Sequence, residues 1–163
     1  MTVREYRKLI QRRKGRAKRK LLGVASSSAS RPNGNETRFR RLCLVGAGGE
    51  VEYEARHFIL TRIHKRRYTP DFRLEVGGQV VWIEVKDAYR LGSEGRAHLA
   101  FELAAERYSA AEGAFVWAKW NRSKRAYQCE AWFDGGREIR KAFCKSAADF
   151  MGLINISTKE SRQ

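Results

Sequence analysis

The sequence predicts a mixed α/β domain preceded by a basic N-terminal arm. Three observations predict it. Helical and strand-like periodicities alternate along residues 34–163, a Gly-Gly pair separates two strand-like runs, and positive charge is concentrated near the N-terminus. With 163 residues, 42% of them hydrophobic, the chain is long enough for one domain with a real core. We therefore expect an arm and linker at 1–33 and one folded domain at 34–163.

The first helix and the strands after it follow from spacing and capping residues. Residues 36–45 have apolar residues at helical spacing, with Asn33 or Asn35 as the N-cap. Glycines within 46–49 end this helix. Residues 51–63 predict one or two strands, although a helix is possible.

The second half of the domain has clearer signals. Residues 96–111 are rich in Ala, Leu and Glu with a period near 3.6, which predicts a helix. Residues 114–120 and 126–133 are strand-like and are separated by a basic turn. Ser146 is a candidate N-cap for a last short helix.

Residues 68–86, Y-T-P-D-F-R-L-E-V-G-G-Q-V-V-W-I-E-V-K, predict a β-hairpin. Gly77-Gly78 is its two-residue turn, so Phe72 faces Ile83. Strand side chains alternate between faces, which gives one apolar and one charged face. The apolar face contains Phe72, Leu74, Val76, Val81, Ile83 and Val85. The other contains Asp71, Arg73, Glu75, Val80, Trp82, Glu84 and Lys86.

In this register Asp71 lies opposite Glu84. Like charges at opposed positions destabilise a sheet and raise a carboxyl pKa. A divalent cation between the two acids removes the repulsion, and carboxylate oxygens suit Mg²⁺ or Mn²⁺. Lys86 projects to the same side and can reach a water or a scissile phosphate. The alternative is a solvated face whose acids pair with Arg73 or Lys86.

The charge of the chain indicates a polyanionic partner. Thirty-four Lys and Arg residues oppose 18 Asp and Glu residues, which gives a formal net charge of +16. Proteins this basic usually bind nucleic acid. Residues 1–22 contain ten Lys or Arg and one acid, and a Ser/Gly/Pro-rich linker follows. We interpret 1–33 as an arm that is flexible until it meets a phosphate backbone, with a short surface helix as the alternative.

Basic residues of the folded domain are further candidates for phosphate contacts. They lie before the hairpin, at the start of the second helix, and in and around the turn after residue 120. The candidates are Lys65, Arg66, Arg67, Arg96, His98, Lys119, Arg122, Lys124 and Arg125. Affinity for a nucleic acid should then fall steeply with salt.

Cysteine usage and hydropathy indicate an intracellular protein. Cys43, Cys129 and Cys144 are odd in number and lack C-x-x-C spacing, which argues against a disulfide framework and a zinc site. No segment approaches the roughly 18 apolar residues of a membrane span. The basic N-terminus is not followed by an apolar run of signal-peptide length. We expect no membrane partner.

The motif residues resemble those of a nuclease superfamily. Pro70-Asp71, followed by Glu84-Val85-Lys86, matches the signature P-D…(D/E)-x-K. The segments G-N-E-T-R-F, V-E-Y-E, Y-T-P-D-F-R-L, G-Q-V-V-W-I-E-V-K and R-A-H-L extend the similarity over residues 34–120. Over this range the chain resembles phage endonuclease I, a Holliday-junction resolvase family. Small phage nucleases of the same superfamily also carry Y-T-P-D-F and E-x-K.

The resemblance implies a restriction-endonuclease-like core, a mixed central sheet flanked by helices, and Mg²⁺- or Mn²⁺-dependent hydrolysis of DNA. It implies that Asp71 and Glu84 bind the metal, with the Val85 carbonyl as an extra ligand. Lys86 matches the catalytic lysine. Glu36 matches an acid on the first helix that helps to complete the metal site. The alternative for Glu36 is an exposed residue favoured by the helix dipole.

The resemblance also implies partners and a location. It implies branched DNA, such as a four-way junction, as substrate, and the host cytoplasm as location. A homodimer is expected because two symmetric cuts require two active sites. The family often has Gly where this chain has Asp87, which we interpret as a loop acid rather than a further ligand. A sequence-specific or general nuclease of the same superfamily and a non-catalytic nucleic-acid-binding protein are the alternatives.

Overall fold

The computed structural model describes residues 31–61, 66–88 and 94–155. Almost all of the predicted arm, residues 1–33, therefore lies outside the described residues. The helices are α1 (Gly34–Phe39), which continues as a π-helical segment (Arg40–Leu44), α2 (Glu94–Glu112) and α3 (Ala147–Ile154), with a 3₁₀ turn at Asp134–Gly136. The strands are β1 (Glu50–Tyr53), β2 (Phe58–Ile59), β3 (Arg67–Tyr68), β4 (Phe72–Val76), β5 (Gln79–Lys86), β6 (Ala114–Asn121), β7 (Ala126–Phe133) and β8 (Glu138–Cys144).

Six strands form one mixed sheet in the order β1-β4-β5-β6-β7-β8. β5 and β6 are parallel, and the other neighbouring pairs are antiparallel. Parallel neighbours require a crossover connection, and α2 lies within it. β2 and β3 form a separate two-stranded ladder. The prediction of an α/β domain with a mixed sheet flanked by helices is confirmed.

One apolar cluster packs the sheet against α1 and α3. Phe39 of α1 makes edge-to-face contacts with Tyr127 and Phe150, with ring centroids 4.9 and 5.6 Å apart. Burying a large apolar side chain contributes about 1.5–3 kcal/mol, so this cluster is a main source of stability. It also contains the hairpin residues predicted to form an apolar face, with Val76 only partly buried: Phe72, Leu74, Val76, Val81, Ile83 and Val85.

A second apolar cluster covers the opposite face of the hairpin. Trp82 is 4% exposed there and packs against Phe58, with ring centroids 4.9 Å apart. The Trp82 indole N–H donates to the Glu112 carbonyl at the end of α2, at 2.9 Å. Phe101 of α2 is fully buried in the same cluster. This face is therefore not solvated around Trp82, although its acids pair as the alternative expected, Glu75 with Arg73 and Glu84 with Lys86.

The predicted helix starts and hairpin register are confirmed. Asn33 is the N-cap of α1, and its side chain and that of Glu36 form a capping box. Ser146 caps α3 in the same way. Across the Gly77-Gly78 turn, Phe72 pairs with Ile83 as expected.

The expectation of one or two strands within residues 51–63 is confirmed, because the described part of this range contains most of β1 and all of β2. One strand was missing from the prediction. β8 was not predicted, because its sequence E-I-R-K-A-F-C mixes charged and apolar residues. It lies at the edge of the sheet, where Ile139 and Phe143 remain 43% and 39% exposed.

The three cysteines lie in the core. Cys43, Cys129 and Cys144 are all buried in the first cluster and form no disulfide. Within the described ranges, no helix is long and apolar enough to span a membrane.

The crossover from β5 to β6 requires a glycine at position 113, where there is no room for a Cβ atom. The φ of Gly113 is +99°, and an added Cβ would lie 2.1 Å from the Val80 carbonyl oxygen. We predict that Gly113→Ala lowers the free energy of unfolding by roughly 3 kcal/mol, because both the backbone and the contact become strained. Urea denaturation followed by circular dichroism measures the change.

Gly152→Ala is the matched control. Gly152 lies inside α3 with open space around it. Alanine there should raise stability by about 0.5–1 kcal/mol, since glycine is the poorer helix former. Equal effects of the two substitutions would contradict the assignment of the strain to Gly113.

Candidate active site

The candidate active site lies at one end of the sheet, where β5 ends and β4 begins. Asp71 immediately precedes β4, and Glu84 and Lys86 are near the end of β5. β6 runs parallel to β5, and Lys119 is the residue of β6 in register with Lys86. In open α/β sheets, ligands bind beyond the carboxyl ends of parallel strands, so this is the expected end for a substrate.

Asp71 is held against β5 by its own side chain. The regular ladder begins at Phe72, one residue after Asp71, so Asp71 does not form the direct cross-strand pair with Glu84 that we expected. Its carboxylate instead accepts the Val85 N–H at 2.7 Å. Its backbone carbonyl accepts the Glu54 N–H at 2.9 Å. These two bonds fix Asp71 between β5 and the segment that follows β1.

Glu84 is a buried acid with one unpaired oxygen. The residue is 7% exposed, and its Oε1 accepts a hydrogen bond from the Lys86 ammonium. Its Oε2 is buried without a hydrogen-bond partner among the described residues. The Lys86 ammonium also lies over the Trp117 ring, 5.7 Å from its centroid. An unpaired buried acceptor is costly, so this oxygen is a candidate ligand atom.

Glu36 is buried beside these residues, at 6% exposure. Its Oε2 accepts hydrogen bonds from the Tyr53 hydroxyl at 2.8 Å and from the Asn33 N–H at 2.9 Å. Its Oε1 accepts from the Asn33 amide. The alternative of an exposed Glu36 is therefore wrong, and both of its oxygens are engaged by the protein.

Burial and repulsion raise the pKa of both acids at the hairpin end. Burial is the larger cause for Asp71, and the charge of Glu84 adds to it. The Val85 N–H and the Lys86 charge oppose the shift, which leaves the Asp71 pKa at about 7. Burial likewise raises the pKa of Glu84, although Lys86 lowers it in part. With Glu36, three carboxylates face one ammonium.

Lys86 remains an ammonium. Burial opposes its charge, but the carboxylates of Glu84, Asp71 and Glu36 outweigh burial and raise the Lys86 pKa. A protonated lysine donates hydrogen bonds and stabilises negative charge, and it cannot accept a proton. At neutral pH, Lys86 can therefore act as a hydrogen-bond donor and a positive charge, but not as a base.

Tyr68 belongs to the site, although the sequence did not single it out. It is 6% exposed, and burial, then the charges of Glu84 and Asp71, raise its pKa well above the usual range. Its hydroxyl has no hydrogen-bond partner of normal geometry among the described residues. Tyr68 reaches this place by pairing with Phe58 of β2. A pairing between two two-residue strands leaves almost no periodic signal in the sequence.

The carboxylates fit a hard divalent cation in part. Asp71 and Glu84 could supply oxygen ligands, since Mg²⁺ commonly uses only one or two carboxylates, with water and phosphate oxygens as the rest. No three His, Cys, Asp or Glu side chains come together as a metal-binding group within the residues that the structure describes. Asp71 and Glu84 are thus the acids that could hold a cation, and the charge of Glu36 acts on both of them.

Several predicted phosphate contacts lie at the same end of the sheet. Arg122, Lys124 and Arg125 are exposed in the turn that follows β6. Lys119 is half-buried and forms an ion pair with Glu94, at the start of α2. The turn therefore presents positive charge just beyond the carboxylates.

The remaining predicted contacts are placed less uniformly. Arg96 is exposed in α2, Arg66 is exposed just before β3, and Arg67 is exposed within β3. The His98 ring instead packs edge-on against Trp117, with centroids 4.8 Å apart. Lys65 lies outside the described residues. Asp87, interpreted as a loop acid, is exposed after β5.

Comparison with known proteins gives no neighbour. The chain has no significant match among protein-family models, curated proteins or solved structures. The resemblance to the nuclease superfamily therefore depends on the motif residues and on their placement.

The raised Asp71 pKa predicts an unusual pH dependence of stability. The folded protein binds this proton more tightly than the unfolded chain, whose ordinary value is 3.8. The carboxyl therefore lowers the free energy of unfolding progressively as pH rises from about 4 to about 7. Asp71→Asn removes this cost and keeps an acceptor for the Val85 N–H. It should be more stable than wild type by up to about 4 kcal/mol above pH 7, at about 1.4 kcal/mol for each pKa unit, and by little near pH 4.

Denaturation at a series of pH values measures this difference. Asp134→Asn is the control, because the Asp134 side chain is 60% exposed. Its stability difference from wild type should be small at every pH. A pH-independent difference for Asp71→Asn would contradict the assigned pKa.

Proposed function

We propose that this protein is a divalent-cation-dependent DNA endonuclease with a restriction-endonuclease-like core, selective for branched DNA of the Holliday-junction type. One observation supports this most strongly. The buried Glu84 carboxylate has an unpaired oxygen beside the raised-pKa carboxyl of Asp71 and the ammonium of Lys86. A structural ion pair with Lys86 needs only one carboxylate, so a second buried acid of raised pKa beside it is better explained by a ligand.

Asp71 and Glu84 are the residues that would hold Mg²⁺ or Mn²⁺, together with the Val85 carbonyl that the family resemblance implies. When bound, the cation supplies Lewis-acid activation of the phosphate and of water. Glu36 strengthens cation binding through its negative charge. When a cation keeps all three acids ionised, the carboxylates outnumber the Lys86 ammonium by two formal charges, which is the charge of one such cation.

Lys86 acts as a cation toward the substrate. Its raised pKa keeps it protonated, so it stabilises negative charge that develops on the phosphate rather than removing a proton from water. Glu84 and the Trp117 ring hold the ammonium in place, and such a preorganised charge is effective in a partly buried site. None of these steps uses a cysteine.

The charge distribution supports DNA as the substrate. The net charge of +16 and the exposed basic turn after β6 suit a phosphate backbone. Two coordinated cuts in a four-way junction would require a homodimer. A non-catalytic nucleic-acid-binding protein would have the same net charge, but it would have no use for the buried acids of Asp71 and Glu84.

Cleavage assays test the proposal directly. Wild-type protein should cut a synthetic four-way junction with Mg²⁺ or Mn²⁺ and not with EDTA, and should cut the isolated linear arms more slowly. Asp71→Asn and Lys86→Met should each lower the single-turnover rate about 10³-fold, because each removes a group aimed at the reacting phosphate. DNA affinity should change little.

Lys141→Met is the matched control for Lys86→Met, since the Lys141 side chain is 65% exposed on β8. It should cut at the wild-type rate. Absence of any cation-dependent product from branched or linear DNA would favour the non-catalytic alternative. Equal rates on junctions and linear arms would favour a general nuclease.

The basic turn should contribute to affinity through counterion release. Replacing Arg122 and Arg125 together by Gln should reduce the slope of log K against log[salt] by about 2, since each phosphate contact contributes about 0.9. Fluorescence anisotropy on a labelled junction at several salt concentrations measures it. An unchanged slope would place the phosphate contacts elsewhere.

A further inference from the structure

Two buried polar atoms at the hairpin end lack partners. They are the Tyr68 hydroxyl and Glu84 Oε2, and neither has a hydrogen-bond partner in the part of the chain that the structure describes. The hydroxyl lies beside the Glu84 carboxylate and interacts with its charge. A phenol donates and a carboxylate accepts, so the two atoms are chemically complementary.

The position of Tyr68 is fixed by its neighbours. Its partner in the β2–β3 ladder is Phe58, whose ring packs against Trp82. The next residue, Thr69, has its hydroxyl 2.6 Å from His57 Nδ1. Tyr68 is also buried, so it has little freedom beyond rotation of its hydroxyl hydrogen.

The segment from Tyr68 to Asp71 contacts two consecutive residues of β5. Asp71 accepts the Val85 N–H, and Tyr68 lies beside Glu84. Pro70, between them, is buried and has a restricted backbone. One short, stiff segment therefore carries both the first acid of the site and a group that can orient the second.

We propose that Tyr68 is a positioning residue, whose hydroxyl donates to Glu84 Oε2 and holds this carboxylate in the orientation that binds a divalent cation together with Asp71. The inference rests on the proposed function. Each carboxylate oxygen has two lone pairs, so a hydrogen bond leaves room for a cation. With Lys86 on Oε1 and Tyr68 on Oε2, less side-chain freedom is lost when the cation binds.

Metal titration without DNA tests this role. In calorimetry with Mn²⁺, Tyr68→Phe should weaken affinity at least about 10-fold, the usual effect of losing a group that orients a ligand. Tyr108→Phe is the matched control. It removes a hydroxyl that donates to the Ile59 carbonyl at 2.7 Å, near the same aromatic cluster. The control should bind Mn²⁺ within about twofold of wild type, and wild-type affinity in Tyr68→Phe would overturn the proposal.

A double-mutant cycle in unfolding experiments provides a readout that requires neither metal nor cleavage. Loss of the Tyr68 hydroxyl should change the folding equilibrium constant about fivefold when Glu84 is present, and much less in a Glu84→Met background. Additive effects would mean that the two groups do not bond, which would also overturn the proposal.

Cleavage kinetics then separate the two hypotheses. If Tyr68 acts through Glu84, raising the Mg²⁺ concentration should restore most of the Tyr68→Phe rate, and the KM for DNA should not change. A rate loss that Mg²⁺ cannot restore would overturn the positioning role. A wild-type protein that binds Mn²⁺ and shows the Tyr68–Glu84 coupling, but cuts no DNA, would overturn the nuclease proposal and support the role of Tyr68.

Discussion

The hydrogen bond from the Val85 N–H to the Asp71 carboxylate is the contact on which the rest of the site depends. It holds an acid at the start of β4 against the end of β5, where Glu84 is already buried. The arrangement is costly, since burial and repulsion raise the pKa of both acids. The apolar clusters on the two faces of β5 offset that cost, because Ile83 anchors the strand on one side and Trp82 on the other. Apolar packing around β5 thus stabilises the fold enough to keep two destabilising acids buried.

Much of the hairpin could be predicted because its signals are local. Gly77 and Gly78 fix the turn, and a period of two then determines which side chains share a face. The register at Phe72 and the apolar face followed from these facts alone. The capping residues Asn33 and Ser146 were equally visible, since a cap depends on the residues within one turn of a helix.

The features that the sequence did not reveal depend on contacts between distant segments. Whether Trp82 faces solvent is decided by α2, which lies beyond the hairpin. Tyr68 is placed in the site by its pairing with Phe58 of β2. The hydrogen bond from the Tyr53 hydroxyl to Glu36 connects β1 to α1. The hydrophobic pattern of β8 was ambiguous because charged residues are common in edge strands. In β8, Ile139 lies between Glu138 and Arg140. Asp71 also departs from the regular ladder, which a pairing rule cannot anticipate.

The two-residue turn of the hairpin also lowers the loss of chain entropy when Asp71 and Glu84 come together. Asp71 and Glu84 meet by closing a short loop, whose entropic cost is small. Glu36 and Lys119 join them only after much longer stretches of chain have closed, and β6 must first pair in parallel with β5. Local contacts form faster than such long-range ones. We therefore expect the folding chain to bring its two hairpin acids together before the helices and strands that bury them are in place.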